Sequence, residues 1–170
     1  MKTSPLKMLS LAFLIAAGAV SAADKKSDLN AADEKFVKTA AESGMAEVKL
    51  ATLGSQKAER ADVKEFAAML VTDHTAVNEE LAKLAETKHV QLSTVIAPSA
   101  ADTYKDLEKE SGKDFDKAFL SHMEKSHKTS VSNFEEAQKD SADSDLKAWA
   151  TKTLPALKAH LDKVKELRAK

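Results

Sequence analysis

Between residue 23 and the C-terminus this chain carries only five backbone breakers: Gly44, Gly54, Pro98, Gly112 and Pro155. A sandwich or barrel of short strands needs turn residues about every 8–12 positions, and nothing here keeps that rhythm. The long intervals are filled instead by alanine, leucine, lysine and glutamate, the strong helix formers. No segment alternates β-branched and polar residues with period two. The chain is therefore expected to be all-α.

Apolar spacing divides it into elements. A first helix is predicted over about 31–53, with Phe36, Val37, Ala40, Val48, Leu50 and Ala51 on one face and Gly54 as its stop. A second is predicted over about 58–87, where Val63, Phe66, Leu70, Val77, Leu81 and Leu84 recur at spacings of three, four or seven. Residues 89–100 break the period and form a long connection, and 101–110 make a short extra helix ended by Gly112. Asp114 then caps a third main helix running to about 139, DSADSD (140–145) turns the chain, and a fourth helix covers about 145–169. Pro155 lies inside that last helix and should kink it or mark a local irregularity. Four amphipathic helices joined in this way predict an antiparallel four-helix bundle of the ferritin-like kind. Phe66, Leu70, Leu81, Leu120, Met123, Phe134, Trp149, Leu157 and Leu161 are its expected shared core.

The N-terminus reads as an export signal. Lys2 and Lys7 precede an apolar run from Met8 to Val20, followed by small residues, with cleavage expected after Ala22 or Ala23. The run is shorter than the roughly 20 residues of a spanning helix, so no membrane anchor is expected after cleavage. Without a cysteine a lipid anchor is excluded, as are disulfides and thiolate metal sites. Residues 1–22 are thus assigned to a signal peptide, 23–30 to a flexible lead-in and 31–170 to one domain in the periplasm. Loss of Lys2 and Lys7 leaves 24 basic against 27 acidic residues, a formal charge of −3. That balance offers no footprint for nucleic acid; an envelope protein is the kind of partner expected, with oligomeric state open.

The informative residues are histidines on apolar faces. Successive helical residues advance about 100°, which puts Leu120, Met123, Val131 and Phe134 within about 40° of His127. His74 and His160 lie inside the second and fourth stripes, off centre, whereas His122 is about 140° from His127 and should face solvent. Heights agree as well. His127 lies 15 residues before the turn near 142 and His160 lies 18 after it, a mismatch of about 4.5 Å. His74 and His127 level if residues 101–110 are split from the third helix. Three inward imidazoles with an open fourth position suit zinc, copper or iron.

Carboxylates complete the candidate set. Glu124 precedes His127 by three, the Glu-x-x-His unit of di-iron bundles. A ferritin-type di-iron centre is nevertheless rejected, because Val71 and Leu157 stand three before His74 and His160. Asp73 can orient a ligand. Glu47 also points inward, but counting from the first turn puts it some 12 Å from the level of His74, so it is a weak candidate. The same residues could instead form a histidine polar layer in a structural or interaction module without metal. An enzyme has no nucleophile–base pair or glycine-rich loop to support it.

The stretches FVKTAAESGMAEVKLATLGSQKA (36–58), EFAAMLVTDHTAVNEELAKLA (65–85), FDKAFLSHMEKSHKTSVSNFEEA (115–137) and LKAWATKTLPALKAHL (146–161) resemble the bacterial domain-of-unknown-function 4142 family. The resemblance implies an exported, ferritin-like helical protein of the periplasm or outer membrane, with no established reaction. It also implies that His74, His127 and His160 belong together. The chain departs from the family pattern at Ser126, where an aspartate usually stands, and at Glu124, usually apolar. A fainter echo relates Leu70-x-x-x-His74-x-x-x-x-x-x-Leu81 to Met123-x-x-x-His127-x-x-x-x-x-x-Phe134.

Overall fold

The structure, a computed structural model, describes residues 26–170. The expected signal peptide, 1–22, lies outside the described residues. Five helices and no strand make up the described chain: α1 (Ala31–Lys57), α2 (Ala61–Thr87), α3 (Pro98–Lys109), α4 (Gly112–Asp140) and α5 (Ser144–Arg168). No described helix is long and apolar enough to cross a membrane.

The four long helices form a ring of neighbours. α1 packs chiefly on α2 and α4 on α5, while lighter α1–α4 and α2–α5 contacts close the ring. Short α3 lies against α1 and α4.

The helix ends explain several boundaries. Asn30 caps α1 by accepting from the Asp33 N–H at 2.8 Å, with Asp33 and Glu34 placing negative charge in the first turn. Asp143 caps α5 by accepting from the N–H groups of Asp145 and Leu146. Where a loose lead-in was expected, Leu29 is buried and the Asp28 N–H donates to Lys88 O.

Several helix boundaries differ from expectation. α1 does not stop at Gly54 but runs to Lys57. Gly54 is buried in the helix because a Cβ there would lie 2.6 Å from the Phe119 ring. Gly112 does not end α3; it opens α4 with a left-handed φ of 58°. Ser111, not Asp114, holds the N-cap position, and Asp114 falls in the first turn. α3 starts at Pro98, whose missing N–H costs nothing in a first helical turn. α5 runs on through Pro155, which sits on the exposed side.

The core is also not one cluster. Phe66, Leu70, Leu120 and Met123 belong to one apolar cluster, together with Phe115 and Phe119. Leu81, Phe134, Trp149 and Leu157 belong to a second, with Phe36 and Val131 packed against it. Leu161, expected in the core, is only partly buried at the edge of the first. Along every long helix one buried polar residue falls between the two clusters: Glu47 in α1, His74 in α2, His127 in α4 and His160 in α5.

Candidate metal centre

That polar layer is the candidate site. His74, His127 and His160 are brought together from three helices, with every pair of ring centroids 5.4 Å apart. One ring nitrogen from each lies within 4.8 Å of the other two. All three side chains are buried, His127 completely. The level matching by residue count therefore holds, including the match that required α3 to be separate from α4.

The outward nitrogens are each anchored. His74 Nδ1 lies 3.2 Å from Glu47 Oε2, His127 Nδ1 lies 2.9 Å from the Met123 carbonyl oxygen, and His160 Nε2 lies 2.9 Å from Asp73 Oδ2. Each partner is an acceptor, so the anchored nitrogen carries the proton and donates. With those protons so assigned, the second ring nitrogens, His74 Nε2, His127 Nε2 and His160 Nδ1, are acceptors in the neutral rings. Two of these, His74 Nε2 and His127 Nε2, face each other at 3.4 Å. The third, His160 Nδ1, is buried without any hydrogen-bond partner.

A proton between His74 Nε2 and His127 Nε2, or a cation held by the three rings, would satisfy the acceptors of this buried layer. Imidazoles bound to one ion at about 2.0–2.1 Å hold their nitrogens about 3.3–3.6 Å apart, and the His74–His127 separation falls in that range. A hydrogen-bonded anchor on the far side of each ring is also how proteins orient histidine ligands. The residues present fit a transition metal.

Burial pushes the imidazoles of His74 and His127 below the ordinary histidine value, because the charged form loses its hydration. Glu47 opposes this in both, and the Met123 carbonyl does so for His127, without reversing it. Rings kept neutral to lower pH are rings kept ready to ligate.

The carboxylates divide. Glu47, doubtful on height, belongs to the layer: it is 4% exposed, lies 3.2 Å from His74 and 3.7 Å from His127, and accepts from Ser126 Oγ at 3.0 Å. Asp73 is beside His160, as its position suggested. Glu124 is not in the layer. Its Oε1 pairs with Lys128 and its Oε2 with Arg168, so neither oxygen is directed to the layer. His122 is half-buried rather than solvent-facing, and burial lowers its imidazole too. α4 touches α1, α3 and α5, so a residue far from the centre of its stripe is still partly covered. Sequence reasoning missed the Met123 carbonyl, for which no side-chain signal exists, and Ser126 as the hydroxyl that holds Glu47.

Solved structures share the fold. A DUF305 fragment from Deinococcus radiodurans matches with a TM-score of 0.73 and 11% identity over 83% of this chain and 97% of that one. CopM in its Cu(II)-bound form matches with a TM-score of 0.68 and 15% identity over 81% of this chain and 95% of that one. CopM in a silver-bound form also matches, with a TM-score of 0.64 and 15% identity over 79% and 93% of the two chains. At these identities the likeness is one of fold alone. Among curated proteins none matches this chain. The family model for the domain of unknown function DUF4142 matches residues 18–167, and the chain belongs to that family.

Proposed function

We propose that this protein is a periplasmic metal-handling protein of the bacterial envelope, exported by residues 1–22 and folded as an antiparallel, ferritin-like four-helix bundle. It binds one transition-metal ion through His74 Nε2, His127 Nε2 and His160 Nδ1. Glu47 and Asp73 orient the ligands and balance the ion's charge. The observation that carries this reading is the buried cluster of three imidazoles, one ring nitrogen of each within 4.8 Å of the others, with His160 Nδ1 buried and without a partner. An all-imidazole donor set without thiolate suits copper, zinc or iron. Copper is our first candidate, supported by the copper-bound forms of the structural relative CopM. The export reading is supported by the charged, apolar and small-residue order of the first 22 positions.

A ligand that binds the folded state alone stabilises it by mass action, about 2.7 kcal/mol at a free concentration 100 times Kd. Scanning calorimetry at neutral pH with added Cu(II) or Zn(II) should therefore raise the melting temperature. His127→Ala should remove that rise. His89→Asn should keep it, since His89 lies outside the layer, paired with Asp28, and asparagine tolerates its left-handed φ of 55°. If no metal shifts the wild-type transition, the layer is a polar element of a structural or interaction module and the metal reading is abandoned.

A further inference from the structure

A buried ligand set needs a way in, and the space inside the molecule is unevenly distributed. A cavity of about 30 Å³ reaches the layer, with Glu47 and His74 at one end and Phe134 and Trp149 among its apolar walls. An open groove of about 330 Å³ lies further along α1 and α4, lined by Asp33, Lys35, Glu136 and Asp140 among others. Phe36, Thr39 and Asn133 line both. The two spaces therefore share a wall at these three residues.

That shared wall lies at the seam between α1 and α4, helices that pack less extensively on each other than on α2 and α5. At the outer end three carboxylates face one lysine, a balance that raises the local concentration of cations. Asp33 is already engaged, accepting from the N–H groups of Ala142 and Asp143, and Asp140 Oδ1 lies 3.9 Å from the exposed Lys139, which leaves Glu136 and, more weakly, Asp140 as the attracting charges. At the inner end stands Glu47, in contact with two of the three rings.

Building on the metal-binding reading above, we propose that the ion enters along the α1–α4 seam: past Glu136 and Asp140, between Thr39 and Asn133 where the two spaces share a wall, to Glu47 and then the three imidazoles. Glu47 is a positioning residue and the first anionic group the ion meets inside. Thr39 and Asn133 are gate positions that touch neither the ion's final site nor its ligands.

A gate acts on rates and not on equilibrium. Narrowing it raises the barrier equally for entry and exit, so association and dissociation slow by one factor and Kd stays fixed. Trp149, the only tryptophan of the chain, lines the inner cavity, so its quenching by Cu(II) reports arrival. Stopped-flow mixing of the full chain with Cu(II) should show Thr39→Phe and Asn133→Leu each slowing association and dissociation by about tenfold or more. Ser132→Phe, on an exposed part of α4, should leave both rates unchanged. The pair Glu136→Gln and Asp140→Asn should lower the association rate at low ionic strength, and the difference should vanish at high salt. Loading of both gate variants at the wild-type rate overturns the route and turns attention to the half-exposed Asp73 side of His160. A change in Kd without the matched change in rates likewise overturns it. If the wild type itself gives no Cu(II) signal in calorimetry or fluorescence, the metal reading has failed, and the route fails with it.

Discussion

Glu47 is a buried carboxylate whose close partners, His74 and Ser126, are neutral donors. An anion in that position is unfavourable unless a positive charge lies near it. An ion held by the three imidazoles supplies one. Glu47→Gln keeps the shape and one acceptor but removes the charge, so metal affinity should fall about 10–100-fold by calorimetric titration. The metal-free protein should lose little stability, or gain some. Burial of the imidazoles makes a second prediction at the same scale. His74 and His127 are held below the free histidine value of about 6.5, so on acidification the unfolded chain takes up protons first. Their contribution to stability is complete above about pH 6.5 and is lost as pH falls below it. The urea midpoint of metal-free protein should drop between about pH 7 and 5.5, less steeply in His127→Gln. A midpoint that rises over that range contradicts neutral burial.

Individual helices show which parts of the chain could be read from sequence. Elements and faces were legible because a period of 3.6 repeats over 25 residues or more, and three histidines kept their register within it. Glu47 was misjudged for one identifiable reason. A glycine after an apolar stretch normally ends a helix, and that rule applied to Gly54 places the first turn too early. The turn actually lies at Ala58–Arg60, and moving it by about three residues shifts every height in α1 against α2 by about 4.5 Å per helix. Gly54 serves the approach of Phe119 instead, a contact between helices distant in sequence that no local rule contains. The two buried glycines of α1 can be told apart by experiment. Alanine has the better helix propensity by about 1 kcal/mol, but at Gly54 its Cβ meets the Phe119 ring at 2.6 Å and the Ala67 Cβ at 3.0 Å. Gly54→Ala should destabilise by about 1–3 kcal/mol through overpacking. At Gly44 the obstacle is the end of the Asn78 side chain, which can swing aside. Gly44→Ala should fall within about 1 kcal/mol of wild type in chemical denaturation. Equal losses at both positions would show that helix rigidity, not the neighbour, sets the cost.

Across the whole molecule the two helix pairs serve each other. Asp116 of α4 accepts from the N–H groups of Glu59 and Arg60 at the α1–α2 turn. Asp33 of α1 accepts from those of Ala142 and Asp143 at the α4–α5 turn. Each pair thus satisfies open N–H groups at the other's turn. The polar layer lies between the two apolar clusters and draws one residue from each long helix. For stability alone this is a poor arrangement. Four apolar residues would join the clusters into one continuous core, and replacing a buried ionic group by well-packed apolar side chains is often neutral or stabilising by about 1–4 kcal/mol. The combined variant Glu47→Met, His74→Leu, His127→Met and His160→Leu tests what the layer is for. Should the layer exist to bind an ion, the variant should unfold at a urea concentration at least equal to that of metal-free wild type and show no response to Cu(II) or Zn(II). Metal-loaded wild type should overtake it by the mass-action increment alone. Should the layer instead be what fixes the packing of the four helices, the variant should lose several kcal/mol or unfold with reduced cooperativity, and no metal should change the wild type.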